Sequence, residues 1–330
     1  MVKWFQGNML VQVLLVMAAL LLLWARALVA PQPMAAGDHP AALYGVLCTW
    51  LTPLPRLAVV LAMLLVLLEG FMLNLLLANV NLVSQNSLLP TLLYTIVMSA
   101  GATTLTPLIL VCGTAIASLH FLMLRGTLLT IPPEKICGAT LLIGLATLFY
   151  QPALFLMLSY LFVAANYRLY SWRDWMLMLL GFAAPYVLLI LVLYMTDGLA
   201  AWWSDTLASL QFTDYSLRIT DYSLRLTAYG FLAVVFLWSL VHVIGRISER
   251  PVLWQKNATS VILFTFGGIG LALYSPENAT ATFAIPFAFV AYRLLTSALG
   301  KTTSYIGHRK RHTWIYDILL ILIIIAALLC

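Results

Sequence analysis

Charge is scarce in this sequence, with 17 Lys and Arg and 11 Asp and Glu among 330 residues, or 8%. Soluble domains carry about a quarter of their residues charged, so a water-exposed globule is excluded. The same scarcity removes the basic, aromatic-interleaved surface that a nucleic acid needs, and no nucleic-acid partner is expected. Cysteine is rarer still. Cys48, Cys112, Cys137 and Cys330 stand in or beside apolar runs without CxxC spacing, a pattern of small buried hydrophobes and not of a disulfide framework or metal site. The chain also lacks a nucleotide-binding glycine loop, an HExxH helix, a nucleophile elbow and any metal-ligand cluster, so soluble-type catalysis is not expected.

What is present is apolar. With 63% hydrophobic residues and a mean hydropathy of +1.01, the chain reads as an integral membrane protein almost end to end. The expected fold is all-α and polytopic, a single transmembrane domain over residues 1–330. Its topology turns on residues 136–197, an apolar run broken by Gln151-Pro152 and by a short charged segment. Proline cannot donate to the helix ladder and biases the preceding residue away from helical geometry, which predicts a break there.

Charge decides the same way. With two short helices meeting at that step, thirteen of the seventeen basic residues fall on one side: Lys3, Arg125, Lys135, Arg168, Arg173, Arg246, Arg250, Lys256, Arg293, Lys301, Arg309, Lys310 and Arg311. A single tilted helix would move most of the later ones across, against the positive-inside bias. Each half is about 22 Å long at the helical rise, short for a ~30 Å hydrocarbon core, and short helices meeting mid-membrane line cavities.

Taken in order, the spans are residues 9–30, 57–78, 88–100, 105–124, the two halves of 136–166, 176–195, 228–247, 258–274, 279–298 and 314–330, about eleven. The N-terminus is then cytoplasmic and the C-terminus periplasmic. The end of the first run resembles a signal-peptidase site, but its length and Pro31 favour a retained anchor. Residues 31–56 form the first periplasmic loop, with 43–51 expected as an interfacial helix carrying Trp50. Residues 167–175 read as an inner interfacial segment.

Residues 197–227 form the long periplasmic loop, which holds a tandem heptapeptide, TDYSLRI followed at once by TDYSLRL. In a helix, Tyr215, Ile219, Tyr222 and Leu226 share one stripe, and each Asp precedes its Arg by four residues. The choice lies between an amphipathic surface helix and a neutral local duplication.

Isolated polar groups are the candidate sites. Glu69 sits mid-span in an aliphatic helix, where an ionisable group either bonds a neighbouring helix or serves a cavity or relay. Asn74, Asn81 and Gln85 follow it toward a helix end. Asp38 and His39 are the acid–base pair of the first outer loop, either solvated or acting as general base or metal ligand. His120 and His242 read as interfacial, the HRKRH run at 308–312 as an inner anchor touching anionic lipid, and Trp202 and Trp203 as outer aromatic belt.

The order of these elements, with GLATLFYQPALFLMLSYLFVAANYR at 144–168 folding as paired short helices before a basic turn, resembles the multi-spanning C-type (GT-C-like) membrane glycosyltransferases. Over most of its length the chain is similar to an uncharacterised family of bacterial multi-pass inner-membrane proteins. The first resemblance implies a polyprenyl-phosphate sugar donor, an outward-facing site and a catalytic acid in the first outer loop, where Asp38 matches.

Three readings follow. In the first, Asp38, with His39 beside it, activates an acceptor while Arg26, Arg56 or Arg218 holds a lipid phosphate. In the second the chain is a non-catalytic scaffold or accessory subunit of an envelope complex, its partners membrane lipids and inner-membrane or periplasmic proteins docked on 197–227. In the third Glu69 serves a transporter.

Overall fold

A computed structural model of the chain describes residue 5 and residues 7–34, 41–100, 104–123, 132–169, 171–209, 223–274, 279–297 and 313–329. Among these the regular structure is helical, without a strand. The helices are α1 (Met9–Val29), α2 (Ala42–Leu51), α3 (Pro55–Asn79), α4 (Leu89–Ser99), α5 (Pro107–Met123), α6 (Pro133–Phe149), α7 (Leu154–Asn166), α8 (Trp172–Met195), α9 (Leu199–Ser209), α10 (Ser223–Ile244), α11 (Val252–Tyr274), α12 (Ala279–Thr282), α13 (Ala284–Ser297) and α14 (Thr313–Leu329). Pro55, Pro90, Pro107 and Pro133 stand in the first turns of four of them, where a missing N–H costs nothing.

Among the described residues five segments are long and apolar enough to cross a membrane: Met9–Val29, Pro55–Asn79, Trp172–Met195, Thr227–Glu249 and Val252–Leu273. The remaining apolar helices are shorter, among them Leu89–Ser99, Pro107–Met123 and Ala284–Ser297. Their burial explains how they tolerate that length. Every residue of α4 is buried, enclosed by α1, α3 and α13, whereas Leu179, Leu180, Leu188 and Leu191 of α8 are exposed. An apolar outer face around an apolar core is the arrangement of a helix bundle in lipid.

The Gln151-Pro152 step breaks the chain as the sequence predicts: α6 stops at Phe149, and a 3-10 turn, Gln151–Ala153, precedes α7. The direction of the second half follows from its neighbours. Along α6 and α8 the contacts keep the same order, since Gly181 meets Cys137 and Thr140, Gly144 meets Phe182 and Pro185, and the Tyr186 hydroxyl donates to Thr147 Oγ1 at 2.8 Å. The two helices are therefore parallel, and α7 must run back between them. It lies antiparallel to α11, with Phe155 against Gly270, Ser159 against Gly267, and Asn166 Nδ2 donating to the Lys256 carbonyl at 2.8 Å. These seams use glycine where a Cβ would collide with the facing helix, the small-residue packing of membrane bundles.

The same contacts gather one end of the bundle. The start of α1 is fastened beside the α3–α4 turn by Gln12, whose Nε2 donates to the Asn86 carbonyl at 3.0 Å and whose Oε1 accepts from Leu88 N–H at 2.8 Å. Tyr167 after α7 donates to Asn257 Oδ1 at 2.9 Å, and Ser84 N–H donates to the Tyr292 hydroxyl of α13 at 3.1 Å. Lys135, Arg168, Arg173, Arg246, Arg250, Lys256 and Arg293 all belong to this basic end. Arg26 in the last turn of α1 and Arg56 in the first of α3 stand at the far end.

Several boundaries differ from the sequence reading. The expected interfacial segment 167–175 is cut short because Ser171 caps α8 at Trp172, its Oγ accepting from Asp174 N–H at 3.2 Å. Helix α11 begins six residues before the expected 258. The expected span 279–298 is broken at Phe283, since Pro286 has no N–H for the Thr282 carbonyl and its ring crowds that oxygen. Residues 43–51 are helical as expected, within α2, with Trp50 exposed. Most of the tandem heptapeptide lies outside the described residues.

Candidate functional site

Asp38, His39 and Arg218 lie outside the described residues. Arg26 and Arg56 are exposed at the far end, and Glu69 lies thirteen positions after Arg56 along α3, about 20 Å at the helical rise. These cations therefore do not share a site with that carboxylate.

Glu69 is buried, 4% exposed, among α3, α4 and α5. Tyr94 Oη donates to its Oε2 at 2.7 Å, and its Oε1 presses on Gly113 so closely that a Cβ there would sit 2.7 Å away. Beside Gly113, the Cys112 thiol donates to the Ala281 carbonyl of α12 at 3.6 Å. One turn on, Asn74 Oδ1 is buried with no hydrogen-bond partner among the described residues. The cluster ties three helices through polar groups in an apolar interior, where such bonds are retained because water cannot replace them. Only Glu69 and Asn74 of this group stood out in the sequence; Tyr94 and Cys112 look like ordinary core residues there.

At the far end, α8 and α9 enclose a cavity of about 780 Å³ lined by Tyr186, Ile190, Tyr194, Asp197, Trp202 and Trp203 among others. It exists because Asp197 adopts a left-handed φ of 54°, a conformation that Asp tolerates better than most residues. Gly198 N–H then returns to the Leu193 carbonyl at 2.9 Å, closing α8 and turning α9 over its end. Gln151 Nε2 donates to Thr206 Oγ1 at 3.3 Å, so α9 is anchored to the turn between α6 and α7. Trp202 and Trp203, read from the sequence as aromatic belt, are joined here by two tyrosines and one carboxylate.

At the basic end a second cavity, of about 550 Å³, lies between the α3–α4 turn, the α10–α11 connection and the end of α13. Arg246, Arg250 and Arg293 line it, with Trp254, Tyr292 and Ser84. Arg293 Cζ stands 5.2 Å and Arg250 Cζ 5.8 Å from the Trp254 ring centroid, one indole holding two guanidiniums. His242, assigned from the sequence to the interface, lines this cavity. Comparison with family models, curated proteins and solved structures gives no match for this chain.

Proposed function

We propose that the chain is a polytopic protein of the bacterial inner membrane, with about eleven spans and its basic end in the cytoplasm, that receives a lipid-linked saccharide at its periplasmic end. The observation that carries this reading is the aromatic cavity at the far end. Sugar rings stack their C–H faces on indole and phenol rings and donate hydroxyl hydrogens to a carboxylate, and here four aromatic residues surround Asp197. The apolar remainder of the lining suits a polyisoprenoid chain. Among the described residues no cation lines the cavity, so the phosphate of a polyprenyl-phosphate sugar sits outside it, with Arg26, Arg56 or Arg218 as the cations expected from the sequence to meet it.

Orientation follows from charge: the end that carries most of the described lysines and arginines faces the cytoplasm. The paired short helices α6 and α7 are the element that the GT-C-like arrangement requires, and Asp38 is the group expected to deprotonate the acceptor. Binding and transfer are tested separately. In nanodiscs, a polyprenyl-phosphate sugar quenches the tryptophan fluorescence of the native chain, and Trp202→Ala with Trp203→Ala removes most of that binding; equal binding by the double variant sinks the cavity assignment. Asp38→Asn keeps binding and loses transfer, and unchanged transfer eliminates the catalytic role.

A further inference from the structure

The three arginines of the basic-end cavity come from different parts of the chain. Arg246 and Arg250 flank the 3-10 turn after α10, and Arg293 belongs to α13, a helix buried along most of its length. Among the described residues none of the three guanidiniums has a hydrogen bond or an ion pair, and no carboxylate lines the cavity. Glu249 is adjacent in sequence but is not part of the wall. Each guanidinium presents five N–H donors in a planar fork, and the charges of Arg246 and Arg250 act repulsively on Arg293.

Part of this is accounted for by a helix end, since Arg246 follows the C-terminus of α10, where backbone carbonyls favour cations, whereas Arg293 stands before the last turn of α13. That account does not explain why they converge on one space. A positive-inside anchor points its charge away into water, whereas Arg293 is half-buried and stacked on Trp254, whose ring also meets Arg250 and Phe289. The cavity is also framed by backbone held in place: Asn81 in a left-handed turn with φ 58°, and Ser84 N–H bonded to Tyr292.

We propose that this pocket binds a phosphate group, with Arg246, Arg250 and Arg293 as its donors and Trp254 as the platform that orients two of them. Fork-shaped guanidiniums bind phosphate oxygens in pairs, which a water shell or a chloride ion cannot match. The phosphate can arrive on a soluble diphosphate or on the headgroup of an anionic lipid in the inner leaflet, and the chemistry is shared.

Two measurements on the full chain distinguish the sources. In mild detergent, inorganic pyrophosphate is titrated at ionic strength held constant with chloride, and the thermal midpoint is followed. In nanodiscs, phosphatidylglycerol is mixed with phosphatidylcholine and the lipid retained on the protein is measured by mass spectrometry. A saturable rise with pyrophosphate supports a soluble ligand. Selective retention of phosphatidylglycerol without a pyrophosphate response supports a headgroup. Either effect should weaken about tenfold for each guanidinium removed. Arg246→Gln with Arg250→Gln tests this on exposed side chains whose loss leaves the fold intact, and Arg293→Lys tests the half-buried position while keeping its charge. Absence of both effects, or equal effects in the Arg246→Gln, Arg250→Gln variant, overturns the assignment.

Discussion

The two ends of the bundle pair opposite charges with the same framework, aromatic rings in the wall of a cavity. Among the described residues, the wall at the basic end carries positive charge without a carboxylate, with two guanidiniums on Trp254, and at the far end Trp202 and Trp203 share a cavity with a carboxylate and no cation. An anion drawn to the first wall would be repelled by the carboxylate of the second. The difference teaches that the sparse charge of this chain is sorted between the two cavities by sign, and positive-inside bias alone does not gather arginines from two separate segments around one cavity.

The most severe way to break the contrast is to reverse the charge of the basic end. Arg246→Glu with Arg250→Glu places two carboxylates beside Arg293, which then finds its anion within the protein. Phosphate affinity should fall more than about hundredfold, since two charge-assisted contacts are lost and repulsion is gained. Saccharide binding at the far end should stay unchanged, and a titration of both ligands on one preparation reads both.

A smaller effect follows from removing the platform while keeping the charge. Trp254→Ala leaves three guanidiniums but frees two of them to move, and cation–π contacts at partly exposed sites contribute about 0.5–1 kcal/mol each. Pyrophosphate affinity should drop roughly tenfold when both are lost, with Trp254→Phe restoring part of it. If Trp254→Ala binds as tightly as the native chain, the indole is a packing residue and the arginines orient themselves.

Much of this architecture was legible beforehand, and the reasons are local. The break at Gln151-Pro152 follows from the backbone chemistry of proline, and the ends of α1, α3, α4 and α5 lie within two residues of the edges of their apolar runs. The basic pocket was not legible in the same way. Arg246 and Arg293 are 47 positions apart, so nothing in composition or periodicity brings them together; only the packing of α13 against α10 and α11 does. Asp197 escaped notice because its role is set by a backbone torsion, and Gln12 because a glutamine near the start of an apolar run looks like an interfacial residue until its two partners are known. Helix α11 starts before the expected 258 and takes in Lys256, because a lysine at a helix start can reach the headgroup region from within the helix.

At the far end the contrast is sharpened by loosening the cavity and not its contents. Gln151→Ala removes the bond that anchors α9 to the α6–α7 turn, worth about 1 kcal/mol for a partly buried hydrogen bond. Global stability should change little, whereas amide exchange in α9 should accelerate and saccharide binding weaken several-fold. The basic end should not respond. Acceleration in α10 or α13 as well would mean that the two cavities are mechanically linked and the comparison of independent ends is wrong.

The smallest expected effect lies between the two ends, at Glu69. Its Oε2 accepts from Tyr94 and its Oε1 packs on Gly113, so a side chain of the same shape that still offers a carbonyl oxygen keeps both contacts. Glu69→Gln should therefore alter the thermal midpoint by an amount corresponding to less than about 1 kcal/mol, the net value of one retained bond. Tyr94→Phe should cost more, about 1–3 kcal/mol, because it leaves a buried oxygen without its donor. The informative case is a Glu69→Gln protein that is as stable as the native chain but has lost ligand response at either end. A structural hydrogen bond does not require an exchangeable proton, and that result would make the carboxyl a working group coupling the two ends; a response retained at both confines Glu69 to holding α3 against α4.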